Sequence, residues 1–445
     1  MLLKTGCVLI LFFVKNVDVL NNGLALTPPM GWMSWGYYMC GVNCVAKPQK
    51  CLNEQLILSV ADEFYSNGYQ EAGYEYIIID DCWSEKERDE NERLVADRER
   101  FPNGMKYIAD YIHAKGLKFG LYSSAGSTTC MRYPGSKGHL KIDADTFAEW
   151  DVDYVKFDGC FLTEEYLNSV YIDFGYYLNK TGRPMVYSCS WPYYIEYTHK
   201  NKPDYTAIAK TCNLWRNYHD VFYSWEAVRV IIKHYEGRHN KMAVNVAPGQ
   251  WNDPDMLIVG AGVLTEGQSR VQISVYAMLT VPLILSCDMK YITKNERDIL
   301  VNMNLIAVAQ DKLAIQGVPH IVNNNITLWV KKHLPMKGDQ YYSYSFLFVN
   351  FGHSASSVTT YPSLYGPNST DGYTVLDVFK NKYILNITLE EYINQSIKLS
   401  RLFTTGIDRE NVAFLVTIVT QLPRVPHIYN YVHTSSTKFK KILQI

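Results

Sequence analysis

After residue 14, no apolar run is long enough to span a bilayer, so the body of the chain offers no candidate membrane helix. Charge of one sign is missing too: 43 Lys and Arg stand against 44 Asp and Glu, a formal net charge of -1. That balance gives no electrostatic reason to expect nucleic acid or another polyanion as partner. The basic tail from Lys438 to Lys441 is short and reads as a solvated terminus rather than a membrane-surface patch. No Gly-X-Gly-X-X-Gly follows a first strand, which removes the dinucleotide-dependent dehydrogenases. Solenoid-length repeats and low-complexity tracts are also missing. Cys40, Cys44 and Cys51 cluster, yet nothing nearby completes a zinc finger or ribbon, so neither a metal nor a cofactor is expected.

What is present begins with size. The 445 residues, 47% of them hydrophobic, suffice for one large barrel and a smaller domain. Lys4 precedes the apolar run Cys7 to Val14, which predicts a signal peptide over residues 1–22, cleaved between Val17 and Leu24. Sequons at Asn179, Asn325, Asn368, Asn386 and Asn394 agree with passage through the secretory pathway. Of ten cysteines, loss of Cys7 with the signal leaves nine, so one thiol stays free in an oxidising compartment. Cys287, just after the apolar stretch Val281 to Leu285, is the candidate. Aromatic residues make up 14% of the chain, and their faces suit both core packing and the C–H faces of sugars.

From Gly31 to about Leu313, short apolar runs alternate with longer amphipathic stretches, the rhythm of repeated βα units. Eight strands are expected: Met30 to Met33, Tyr76 to Ile79, Phe119 to Tyr122, Tyr154 to Phe157, Met185 to Ser188, Leu214 to Arg216, Met242 to Val246 and Leu283 to Ser286. Eight is the number that closes a (β/α)8 TIM barrel, here over residues 23–317. Beyond Gly317 the pattern becomes β-branched and aromatic alternation, as in Ile326 to Val330 and Tyr342 to Val349. It predicts a C-terminal antiparallel β-sandwich over residues 318–445, with the break marked by Gly and Pro near Gln316 to Pro319.

The most informative segment is Tyr154-Val155-Lys156-Phe157-Asp158-Gly159-Cys160. Alternation puts Tyr154, Lys156 and Asp158 on one face, which at the C-terminal mouth of a parallel barrel lines an active site. An ammonium nearby would keep Asp158 ionised, as a carboxylate nucleophile must be. The plain structural alternative is a strand-end aspartate that caps the next loop and pairs with Lys156. Cys212 to Asp220 again runs from a strand-like stretch into a polar turn bearing a carboxylate. Two such aspartates fit a retaining glycosidase, whose nucleophile and proton donor stand about 5 to 5.5 Å apart.

Six motifs then occur in order: Pro29-Met30-Gly31-Trp32 with Trp35, Asp80-Asp81-Cys82-Trp83, Lys156 to Cys160, Tyr187-Ser188-Cys189-Ser190-Trp191-Pro192, Trp215-Arg216-Asn217 with Asp220, and Trp251-Asn252-Asp253-Pro254-Asp255-Met256. Through them the chain resembles the clan D α-galactosidases and α-N-acetylgalactosaminidases of animal lysosomes, glycoside hydrolase family 27. The resemblance covers nearly all of the barrel, while the C-terminal part agrees only in character and position. It implies Asp158 as nucleophile and Asp220 as acid/base. Lys156 would lie near the sugar ring, Arg216 on its 2- and 3-position side, and Asp80 and Asp81 would accept from the O4 and O6 hydroxyls. Trp35, Tyr122, Tyr194 and Met256 would line the pocket, with Asp255 at its rim. The resemblance also implies four disulfides, Cys40–Cys82, Cys44–Cys51, Cys130–Cys160 and Cys189–Cys212, leaving Cys287 unpaired. It further implies a homodimer in an acidic compartment, lysosomal or secreted.

Two departures bear on substrate. Members cleaving α-galactose carry a glutamate after the cysteine of the strand-five motif and a leucine three residues later; those cleaving α-N-acetylgalactosamine carry a serine and an alanine. This chain has Ser190 and Tyr193. Serine leaves room for an acetamido group, whereas the phenol ring fills that room unless it turns outward. The expectation is an exo-glycosidase for terminal α-linked N-acetylgalactosamine on glycolipids or glycoproteins, with α-galactosidase as the alternative. After Asp220, Phe222 and Tyr223 replace acidic residues of the family pattern, the one feature that would suit an inactive galactose-binding descendant.

Overall fold

The computed structural model describes residues 22–323, 325–337, 341–352, 357–358, 362–367, 373–387, 397–398 and 412–419. The expected signal segment before Asn22 and the sequons Asn368 and Asn394 lie outside the described residues. The chain divides into two compact units, one ending at Ala314 and one beginning at Ile315.

In the first unit, eight parallel strands, β1 (Met30–Met33), β2 (Tyr76–Ile79), β3 (Lys118–Ser124), β4 (Tyr154–Asp158), β5 (Val186–Cys189), β6 (Leu214–Arg216), β7 (Trp251–Asp253) and β8 (Leu283–Leu285), pair in the order β7-β6-β5-β4-β3-β2-β1-β8. Leu257, four residues past β7, makes a parallel bridge to Leu285 and brings β8 into register beside it, which closes the ring. Runs such as Tyr76-Ile77-Ile78-Ile79 are buried at every position, as strands covered on both faces must be. On β4, Phe157 points outward and stacks on Phe174 of the helix Glu164–Lys180, centroids 4.1 Å apart. Its neighbours Lys156 and Asp158 therefore point inward. The helices start where sequence provides caps: Asn53 accepts from the Leu56 amide, and Thr265 and Gln268 form a capping box.

One expected strand is wrong. Met242 ends the helix Trp225–Met242, and residues 243–245 form a 3-10 turn. The seventh strand is instead Trp251-Asn252-Asp253. Apolar residues at 242, 244 and 246 imitate period-two alternation, but Val244 is exposed, whereas the real strand is short and carries two polar side chains, of which Asn252 faces the surrounding helices and donates to the Met242 carbonyl. Asn252 accepts from Trp215 Nε1 and from Asn217 Nδ2, both at 2.8 Å.

The second unit is antiparallel: β9 (Val318–Asn323), β10 (Ile326–Lys337), β11 (Tyr341–Asn350), β13 (Tyr373–Asp377), β14 (Lys382–Ile387) and β16 (Val412–Val419) form a six-stranded sheet in the order β14-β13-β16-β11-β10-β9, and β12 (Ser357–Val358) pairs with β15 (Ile397–Lys398). Leu328 faces Phe348 and Val330 faces Phe346, all buried, so the alternation read in the sequence is the register of this ladder. Of the other sequons, Asn179 and Asn325 are exposed and Asn386 lies in β14. No helix among the described residues is long and apolar enough to cross a membrane.

Candidate active site

Strand ends β2 through β6 deliver their polar residues to one cavity of about 210 Å³. Its wall includes Asp158, Asp220, Asp80, Asp81, Lys156 and Arg216, together with Trp35, Tyr122, Ser190, Tyr193 and Tyr194. Asp255 and Met256 do not line it. Asp255 is buried against Arg216, on a backbone in the left-handed region (φ 79°), and Met256 is buried with its carbonyl accepting from Gln272. Asp255 spends its oxygens on Arg216 (3.0 Å) and on the Val221 amide (2.7 Å), so it is a partner of the site rather than its rim.

Asp158 sits at the end of β4 with each oxygen engaged: Oδ1 accepts from the Gly159 amide at 3.0 Å and Oδ2 from the Tyr122 hydroxyl at 3.1 Å. Burial, then the charge of Asp158, pushes the Tyr122 and Tyr194 phenols well up, so both remain protonated donors. Gly159 is required by close approach, because a Cβ there would stand 2.6 Å from the Tyr194 ring. The sulfurs of Cys130 and Cys160 also line the cavity, with Cys130 Sγ 3.3 Å from Asp158 Oδ2 and Cys160 Sγ 3.1 Å from the Tyr194 hydroxyl. Sequence reading gave these cysteines only a tethering part. The signal for more was there, since Cys160 follows Asp158 by two residues.

Lys156 bonds Asp80 Oδ2 at 2.6 Å, and both side chains are nearly inaccessible. Burial works against the ammonium, but Asp80 and then Asp158 outweigh it and hold the lysine charged. Ser34 Oγ accepts the Asp80 amide, while the Asp81 carboxylate accepts from the Cys82 and Met131 amides. Burial nevertheless pushes the Asp81 carboxyl up to about 6. The Asp255 carboxyl is likewise pushed up to about 6 by burial, with Arg216 pulling the other way.

Arg216 forks between two carboxylates, Asp255 through Nη1 and Asp220 Oδ1 through Nη2 at 2.8 Å. Asp220 is the open member of this group, its side chain 55% exposed. Desolvation pushes its carboxyl up, but Arg216 and then Lys156 outweigh that and hold it below the usual carboxylate range. Phe222 is exposed, and the Tyr223 hydroxyl donates to the Ser286 carbonyl, so the side-chain hydrogen bond to Asp220 comes from Arg216. His219, which sequence reading passed over, bonds Tyr193 across the wall at 3.3 Å.

The four disulfides join Cys40 to Cys82, Cys44 to Cys51, Cys130 to Cys160 and Cys189 to Cys212, the pairs implied by the resemblance. Cys287 is free and buried, its thiol pushed up by that burial. Since Cys40, Cys44 and Cys51 are all in disulfides, none of them offers a thiolate to zinc.

A family model described as alpha galactosidase A matches residues 27–311. The chain is 40% identical over 344 residues to human alpha-galactosidase A, covering 76% of this chain and 79% of that protein. It is 45% identical over 299 residues to the alpha-N-acetylgalactosaminidase of Gallus gallus, covering 67% and 74%. Among solved structures, alpha-galactosidase I from Mortierella vinacea superposes with a TM-score of 0.73 at 29% identity, covering 89% of this chain and 98% of that one. A closed parallel barrel with paired aspartates at its mouth, matched along most of its length, leaves one conclusion: the chain belongs to the alpha-galactosidase A family, glycoside hydrolase family 27, and is a retaining glycoside hydrolase.

Proposed function

We propose that the protein removes terminal α-linked N-acetylgalactosamine from glycolipids or glycoproteins, with Asp158 as nucleophile and Asp220 as acid/base. The observation that carries the reading is the presence of Ser190, small and buried, in the cavity wall beside Arg216. Asp158 attacks the anomeric carbon as Asp220 gives its proton to the departing oxygen. Asp220 then takes a proton from water, which displaces Asp158 and releases the sugar with its configuration retained. Tyr122 and the Gly159 amide orient the nucleophile, and Asp80 and Asp81 face the cavity as acceptors for ring hydroxyls. Because Arg216 holds Asp220 below its ordinary range, its protonated fraction falls early as pH rises. That favours an acidic working pH.

A second reading, α-galactosidase, is favoured by Tyr193, whose ring stands in the same wall. Side-by-side kcat/KM on p-nitrophenyl α-N-acetylgalactosaminide and α-galactoside decides between them; a preference for the galactoside overturns the first reading. The proposal includes passage through the secretory pathway to the lysosome or the exterior, supported by the disulfides and the exposed sequons Asn179 and Asn325. Assembly as a homodimer is part of it too, and sedimentation velocity tests it.

A further inference from the structure

Tyr193 belongs to the turn after β5, and His219 to the segment after β6, directly before Asp220. The phenol oxygen and His219 Nδ1 are 3.3 Å apart, and the rings meet edge-on at 5.5 Å and 79°. Tyr197 stacks on Tyr193 at 5.5 Å and 26°. His219 is itself packed against Tyr197 and Tyr218, each 4.8 Å away. The contact survives either form of the imidazole: with Nδ1 bare the phenol donates, and with Nδ1 protonated the imidazole donates.

Tyr193 has two free side-chain torsions and lines the cavity beside Ser190 and Arg216, so the position of its ring sets the width of the cavity there. We propose that His219 is a positioning residue: by bonding the Tyr193 hydroxyl it holds the ring to the wall and keeps open the space for the substituent on C2 of the sugar. This rests on the N-acetylgalactosamine reading for the identity of that substituent. Without the bond, only ring packing on Tyr194 and Tyr197 restrains the ring from turning into the cavity it borders. An acetamido group then competes with it for volume, while a hydroxyl at the same carbon does so much less. His219 also neighbours Asp220, but an effect passed to the acid/base falls on every substrate alike. The ratio of kcat/KM between the N-acetylgalactosaminide and the galactoside therefore isolates the effect on Tyr193.

The test compares that ratio in wild type, His219→Ala, His219→Gln, Tyr193→Phe and the double variant Tyr193→Ala/His219→Ala, all first checked for native thermal unfolding. His219→Ala should lower the ratio about five- to tenfold, chiefly through KM of the N-acetyl substrate, the scale that a misfitting group in a pocket produces. Tyr193→Phe, which deletes only the hydroxyl, should move it the same way and serves if His219→Ala fails to fold. His219→Gln, still able to bond the phenol, should restore it. In the double variant, the ratio should match that of Tyr193→Ala, made alongside as its single-variant reference. Equal losses on both substrates, or a ratio unmoved by Tyr193→Phe, overturn the proposal. If wild type prefers the galactoside, the substrate reading fails by itself, and the part played by His219 is still judged from the variants relative to wild type.

Discussion

Lys156 directs its ammonium to Asp80, just past the end of β2, at 2.6 Å, while Asp158, two residues along its own strand, takes its hydrogen bonds from Tyr122 and Gly159. The lysine thus neutralises a cavity-lining carboxylate and acts on Asp158 only through space. Lys156→Met leaves Asp80 buried without its counter-charge, and the expected cost is about 3 to 5 kcal/mol. Lys156→Met/Asp80→Asn should recover much of it. Urea unfolding of the three proteins measures this, and a loss below about 1 kcal/mol in the single variant would contradict it.

The two aspartates should separate by kinetics. Asp158→Asn should abolish turnover on every substrate. Asp220→Ala should spare the first step for good leaving groups, accumulate a glycosyl-enzyme, and yield a glycosyl azide when azide replaces the missing base. Proton NMR of the first-formed sugar should show the α-anomer. A β-anomer appearing first would sink the assignment of Asp158 as nucleophile.

Stability should rise on mild acidification. Asp81 and Asp255, both raised by burial to about 6, bind protons in the folded state at pH values where the unfolded chain has lost them. Between the unfolded value near 4 and the folded one near 6, stability therefore falls as pH rises, by on the order of 1–3 kcal/mol from pH 5 to pH 7. Asp220, held low, acts oppositely and only at still lower pH. Calorimetry across pH 4.5 to 7.5 checks the sign, and a Tm maximum at neutrality would refute it.

Removing the disulfide beside Asp158 should damage catalysis more than stability. Cys130→Ala/Cys160→Ala opens a 30-residue span, worth about 2 to 4 kcal/mol. It also removes the sulfur that packs 3.3 Å from Asp158 Oδ2. At a temperature where the variant is fully folded by circular dichroism, kcat should still be down at least about tenfold, since misplacing a reacting group by an ångström costs that much or more. Wild-type kcat in the folded variant would reduce the bridge to a staple.

Ser190→Glu should shift preference toward the α-galactoside by putting a bulky acceptor where the acetamido group would lie. The expected change in relative kcat/KM is about 10- to 200-fold. Tyr193→Ala is the control. A strong rise in N-acetyl activity from almost nothing would show that the ring blocks the cavity in the native enzyme.

The barrel was readable wherever a short apolar run stands between turn or polar residues. β1, β2 and β6 fall where apolar runs and turn residues put them, whereas β7 was hidden because Asn252 and Asp253 look like loop until Trp215 and Asn217 are seen to bond Asn252 and the Asp255 amide to bond Asp253. The residues drawn to the cavity were legible for a related reason: a charged side chain ending an apolar strand has few structural uses. Pairings were not. Lys156 with Asp80 and Tyr193 with His219 join separate strand ends, and no spacing along the chain encodes which neighbour a flexible side chain will reach. For Asp255, sequence shows the carboxylate but neither its left-handed backbone nor its contact with Arg216.

The bridge from Leu257 to Leu285 has a consequence for biosynthesis. Asp158, Arg216 and Asp220 are all synthesised before residue 221, yet Leu257 docks on β8 and Asp255 lies only two residues ahead of it. Until Leu283–Leu285 emerges and pairs, the guanidinium that steadies Asp220 lacks the closed wall that fixes its other counter-charge. Ring closure and the second counter-charge of Arg216 thus both depend on the one segment, Asp255 to Leu257, that is made after every other member of the group.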